Sequence, residues 1–87
     1  MEVIFLPEAE KDLDFWAATG NKQALKKIAQ LVDDIGKNHY NGIGKPEPLK
    51  YELTGAWSRR INREHRLVYE ITDGKIVIHS AKGHYKL

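Results

Sequence analysis

Cysteine is absent from this sequence, which excludes both a disulfide framework and a thiolate-bound metal. The lack suits a reducing compartment, and the cytoplasm is the expected location. Long apolar runs are missing as well. The opening run Val3-Ile4-Phe5-Leu6 follows Glu2 and ends at Pro7, too short for a signal-peptide core and far short of the ~20 residues of a membrane helix. A soluble protein with no membrane partner is expected. Four dispersed histidines, His39, His65, His79 and His84, lack metal-ligand spacing, so neither a metal nor a cofactor is called for. No internal repeat, linker or low-complexity tract interrupts the chain.

What is present is a lopsided charge on a short chain. The 87 residues suffice for one domain, 1–87, that buries about 60–65% of its unfolded surface. Its net charge is +2, yet residues 1–44 carry 5 Lys/Arg against 7 Asp/Glu and residues 45–87 carry 9 against 5. The halves therefore differ, at −2 and +4. Such an excess in the second half suits an anion such as RNA phosphate, and equally an acidic protein partner.

Residues 1–6 read as a strand stopped by Pro7. Pro7 at a first helical position, Glu8 and Glu10 beside the helix N-terminus, and Ala9, Leu13, Trp16 and Ala17 at helical spacing predict a helix ending at Gly20. Asn21 caps a second helix from Lys22, with Leu25, Ile28, Leu31, Val32 and Ile35 as its apolar stripe and Gly36 as its stop. Residues 38–48 lack periodicity and read as a loop long enough to carry a function. Three strand-like runs follow, at 49–53, 57–62 and 65–72, and Asp73-Gly74 turns the chain into a last strand, 75–82.

That turn places Tyr69 opposite Ile78 and Ile71 opposite Ile76, with Leu67 on the same face, against the helices. Arg66 then points to the open face. With Asn62-Arg63-Glu64 as the preceding turn, Arg60 falls opposite Arg66 on that face. The expected class is α+β: an N-terminal strand, a two-helix hairpin, then a four-stranded antiparallel run completing a five-stranded sheet with the helices on one face.

The C-terminal half supplies a carboxylate, a row of arginines and a histidine, the parts a metal-free ribonuclease needs to deprotonate a ribose 2′-hydroxyl, hold the phosphate and protonate the 5′-oxygen. Pro46 and Pro48 bracket Glu47 and hold it extended. Lys45 and Lys50 lie close in sequence. Arg59 and Arg60 alternate faces, so at most one joins a shared patch; Arg60 is the choice, with Arg59 left to bind RNA or to cover apolar surface with its stem. Trp16 and Trp57 read as core. Alternation from Ile76 would turn His84 toward the helices, so a bulge or bend at Gly83 is expected to return it to the open face. His65 reads as structural, bonding loop backbone.

The spaced set Gly44-Lys45-Pro46-Glu47-Pro48-Leu49-Lys50, Leu53-Thr54-Gly55, Trp57-Ser58-Arg59-Arg60-Ile61, Glu64-His65-Arg66-Leu67-Val68-Tyr69 and His84-Tyr85 closely resembles YoeB/Txe toxins of the RelE superfamily. The resemblance implies a RelE-like fold and a toxin that cleaves messenger RNA in the ribosomal A site. It also implies a YefM/Phd-type antitoxin as partner, with a homodimer as a further candidate assembly. By position it makes Glu47 the general base, His84 the general acid, Arg66 the phosphate-stabilising arginine and Tyr85 the aromatic beside the scissile nucleotide, with Lys50 and Arg60 as supporting cations. Two departures are visible: Lys86 and Leu87 follow the His-Tyr pair, and Arg63 stands where an acidic residue is common. Two other readings stay open: a ParE-like toxin that binds gyrase, and a non-catalytic ribosome- or RNA-binding module.

Overall fold

The computed structural model describes residues 1–83; the expectations placed on His84, Tyr85, Lys86 and Leu87 lie outside the described residues. The order of elements is β1 (Glu2–Phe5), α1 (Pro7–Ala18), α2 (Lys22–Lys37), β2 (Glu47–Pro48), a 3-10 turn at Tyr51–Leu53, β3 (Trp57–Arg60), β4 (Arg66–Thr72) and β5 (Lys75–Ser80). Among the described residues the strands form one sheet in the order β1-β5-β4-β3-β2, with β1 parallel to β5 and the other pairs antiparallel. This is the α+β architecture read from the sequence.

Local chemistry accounts for most boundaries. Pro7 opens α1 with its locked φ where a missing N–H is no loss. The Asn21 side chain accepts the Ala24 N–H at 3.0 Å and so caps α2. Gly36 does not stop that helix. It keeps a helical conformation and the helix runs on to Lys37, with Asn38 extended at φ −137. Asp73 and Gly74 both have positive φ, 50 and 70, the pair of angles whose twist matches a two-residue hairpin.

The hairpin register came out as expected, with Tyr69 opposite Ile78, Ile71 opposite Ile76, and Arg60 opposite Arg66. Leu67, Tyr69, Ile76 and Ile78 bury against Ala9, Trp16, Ala24, Ile28, Leu31 and Ile35 of the helices. Each large apolar side chain so buried contributes roughly 1.5–3 kcal/mol. Trp57 joins this core only at its edge, with the Tyr40 ring 4.8 Å away. In α1 the inward stripe differs from the reading: Ala17 is exposed, and Asp12 is buried at 8% exposure.

The strand expected over 49–53 is not formed. Glu47 pairs with Ser58 and Pro48 with Trp57, so the strand lies two residues earlier, at the end of the expected loop. Leu49 still donates to Ala56 O at 2.9 Å, after which residues 51–53 must reverse the chain. That register puts Leu49 against Ala56 and Val68 in a second small apolar cluster, burial that a longer hairpin would forfeit.

Candidate functional site

Directly opposed residues on neighbouring strands share a face. Glu47 is opposite Ser58, Ser58 opposite Val68, and two positions along Arg60 is opposite Arg66, so Glu47, Arg60 and Arg66 share the face away from the helices. From strand spacing and rise, the Cα of Glu47 lies about 8 Å from that of Arg60 and about 12 Å from that of Arg66. Glu47, Arg60, Lys45 and Lys50 are exposed and Arg66 is half-buried. Two like charges directly opposite each other work against the sheet by roughly 0.2–1 kcal/mol. Neither guanidinium has a carboxylate partner among the described residues. An anion bound between them removes that repulsion.

Arg59 is the main correction. Facing the helices instead, it has 0% exposure, which takes it out of any RNA-facing set. Its Nη1 donates to Asp34 Oδ2 at 2.6 Å and to Ile43 O at 3.2 Å, its Nη2 donates to the carbonyls of Asn38 and Asn41, and its Nε donates to Tyr69 Oη at 3.2 Å. Tyr69 in turn donates to His39 O at 2.7 Å. The loop from Asn38 to Ile43 is thus wound around one buried cation. The Arg59 hydrogen bond, followed by the Ile43 N–H, holds the Asp34 carboxyl below its ordinary value, while burial pushes the Tyr69 phenol up.

Beyond the clamp the chain passes to β2. Gly44, at φ +82, offers its carbonyl to Arg60 N–H at 2.7 Å, and Lys45 takes a φ of 52 that few L residues adopt. Pro46 and Pro48 then flank Glu47. The carboxylate stands on a short edge strand whose approach is fastened from beneath. The sequence reading missed this clamp, because its acidic member, Asp34, sits on α2 among ordinary surface charges.

The C-terminal approach is fastened too. Val68 pairs with Ser80 while Tyr69 pairs with Ile78, so β5 carries one extra residue, His79, as a bulge. The expected change of face therefore begins at His79, and Gly83 adds a bend at φ +103. On this stretch His79 Nε2 meets Glu70 Oε1 at 2.8 Å. Ala81 N–H donates to Asp12 Oδ2 and Ala81 O accepts from Trp16 Nε1, both at 2.8 Å. Gly83 N–H donates to His65 Nδ1 and Gly83 O accepts from Arg66 N–H, both at 3.0 Å. The bond to loop backbone expected of His65 is thus present. Asp12 went unread; its signal was an acid at the inward positions i+3 from Ala9 and i−4 from Trp16.

No helix among the described residues is long and apolar enough to cross a membrane. Residues 5–85 match the family described as YoeB-like toxin of bacterial type II toxin-antitoxin system. The Toxin YoeB of Escherichia coli strain K12 is 45% identical over 85 residues, covering 98% of this chain and all of that protein. Among solved structures, the heterotetrameric YoeB-YefM toxin-antitoxin complex from Staphylococcus aureus contains a chain 46% identical with a TM-score of 0.87, covering 98% of both chains. The YoeB dimer from the same organism matches at 46% identity and a TM-score of 0.89 over 98% of both chains.

Proposed function

The chain belongs to the YoeB-like toxins of bacterial type II toxin–antitoxin systems, and from that membership we propose a ribosome-dependent messenger-RNA endoribonuclease that arrests translation in the cytoplasm. The observation that carries the reading is the shared open face, with the Glu47 carboxylate standing across from the opposed pair Arg60 and Arg66. Ionised Glu47 takes the proton from the ribose 2′-hydroxyl, and the freed oxygen attacks the adjacent phosphorus. Arg66, with Lys50 and Arg60, stabilises the charge that grows on the pentavalent phosphorane. His84 returns a proton to the departing 5′-oxygen. The products are a cyclic or 3′-phosphate and a 5′-hydroxyl. Tyr85 stacks on the base beside the cut, since reading unpaired RNA relies on aromatic faces. Lys45 adds phosphate attraction at the edge. The mechanism runs through protein side chains alone and is metal-independent.

The antitoxin partner is proposed on the same footing: the Staphylococcus aureus relative is held by YefM, and the +4 balance of residues 45–87 suits an acidic segment. A homodimer follows by analogy with the dimer of that relative. Primer extension on a translated reporter tests the central claim. Wild type is expected to give discrete cuts that depend on translation and survive EDTA under conditions that keep ribosomes intact, and Glu47→Ala to give none. Growth arrest by Glu47→Ala without any cutting would turn the reading toward inhibition by binding.

A further inference from the structure

Gly83 is held at both of its backbone polar groups by two consecutive residues at the head of β4. His65 Nδ1 accepts its N–H and the Arg66 N–H donates to its carbonyl, each at 3.0 Å. Among the described residues, and leaving aside its chain neighbours, no heavy atom lies within 4 Å of where a Cβ would stand on Gly83. The His65 ring is itself set by Trp16, edge to face at 4.9 Å, and the Trp16 N–H is spent on Ala81, two residues ahead of Gly83. Because Nδ1 accepts a backbone N–H, the ring proton resides on Nε2.

We propose that His65 is a positioning residue: its Nδ1, together with the Arg66 N–H, fixes the Gly83 peptide, the residue that in the sequence directly precedes the proposed proton donor His84. The inference rests on the nuclease reading and deepens it. A proton donor works only within hydrogen-bond reach of the leaving oxygen, and a misplacement of about 1 Å costs on the order of a hundredfold in rate. Arg66 alone would leave Gly83 with one bond, about which the peptide can turn. Two bonds from adjacent residues define its orientation. Arg66 and the Gly83 peptide then take their relative placement from one stretch of backbone.

The discriminating pair is His65→Leu, which keeps apolar bulk against Trp16 but has no acceptor, and His65→Asn, whose Oδ1 sits where Nδ1 does and can accept the same N–H. On translating ribosomes His65→Leu is expected to lose about ten- to a hundredfold in kcat with KM near that of wild type, and His65→Asn to recover most of the loss. Amide exchange at Gly83 should quicken in His65→Leu and stay slow in His65→Asn. Equal kcat for wild type and His65→Leu, or no recovery in His65→Asn, overturns the role. A wild type that cuts no translated message removes the nuclease reading instead. Gly83 exchange then still judges the bond, and unchanged protection in His65→Leu overturns it.

Discussion

Arg59 and Asp34 meet at 2.6 Å, a fully buried strand cation against a helix anion whose same oxygen also takes the Ile43 N–H at 3.0 Å. The pair anchors the loop that leads to Glu47. Its strength lies in company: the guanidinium also satisfies three backbone carbonyls and the Tyr69 hydroxyl, and such multiple bonding is what lets a buried charge persist.

Arg59→Met should therefore destabilise on the order of 3–5 kcal/mol, because it strands Asp34 and the loop carbonyls at once. A fall in Tm of about 4–8 °C per kcal/mol follows for a domain of this size. Arg59→Lys should recover little, since an ammonium lacks the planar fork that reaches several acceptors. Calorimetry on both variants checks it; an undiminished Tm in Arg59→Met would return Arg59 to a surface role.

The same pair sets an acid limit. With its folded value held below the ordinary 3.8, Asp34 contributes stability that is present above that value and is lost as pH falls through the folded value. Asp34→Asn should flatten this acid limb of a urea-stability profile and lower the plateau above it. If both proteins show the same slope below pH 3.8, another carboxylate carries the acid dependence.

Gly44→Ala tests how tightly the loop is drawn in. An added Cβ would stand 2.7 Å from Leu31 Cδ2 and 3.1 Å from Arg59 Cβ, at a φ of +82 that alanine resists. A loss of roughly 1–3 kcal/mol is expected. Urea midpoints decide it, and a neutral result would mean that the loop gives way freely.

Arg66→Lys keeps the charge but not the fork that can bond two phosphate oxygens. Under the proposed role on the developing phosphorane, turnover should drop with little change in affinity for ribosomes. Matching losses in kcat and binding would make Arg66 an anchor for RNA.

Truncation separates the tail's two parts. Deleting Lys86 and Leu87 should leave cleavage largely intact, whereas deletion from His84 onward should abolish it while antitoxin binding persists. A near-normal cutting rate in the longer truncation would mean that the proton comes from another group. The anchoring of Ala81 and Gly83 by Asp12, Trp16, His65 and Arg66 bears on neutralisation: an antitoxin that displaces the tail has to break these bonds or act beyond Gly83.

The sequence by itself determined whatever near neighbours encode. Pro7, the Asn21 cap and the Asp73-Gly74 turn set element starts and a hairpin; that hairpin gives the face of Arg66, and the Asn62-Arg63-Glu64 turn brings Arg60 opposite it. Glu47 was singled out by the family resemblance, to which its two adjoining prolines add an extended backbone. Tertiary structure decided what depends on distant partners. Arg59 and Arg60 are identical neighbours, and only Asp34, 25 residues away on α2, makes one a buried clamp. Asp12 stands at an inward position of α1, but only the fold brings its partner, the Ala81 amide 69 residues on, beside it. The strand at 47–48 displaced the one read at 49–53 because burial of Leu49 against Val68 belongs to β4, not to the local pattern. Short-range signals choose conformations residue by residue, but a buried polar group is satisfied only where the fold brings its partner, and neither stretch of sequence names which partner that is.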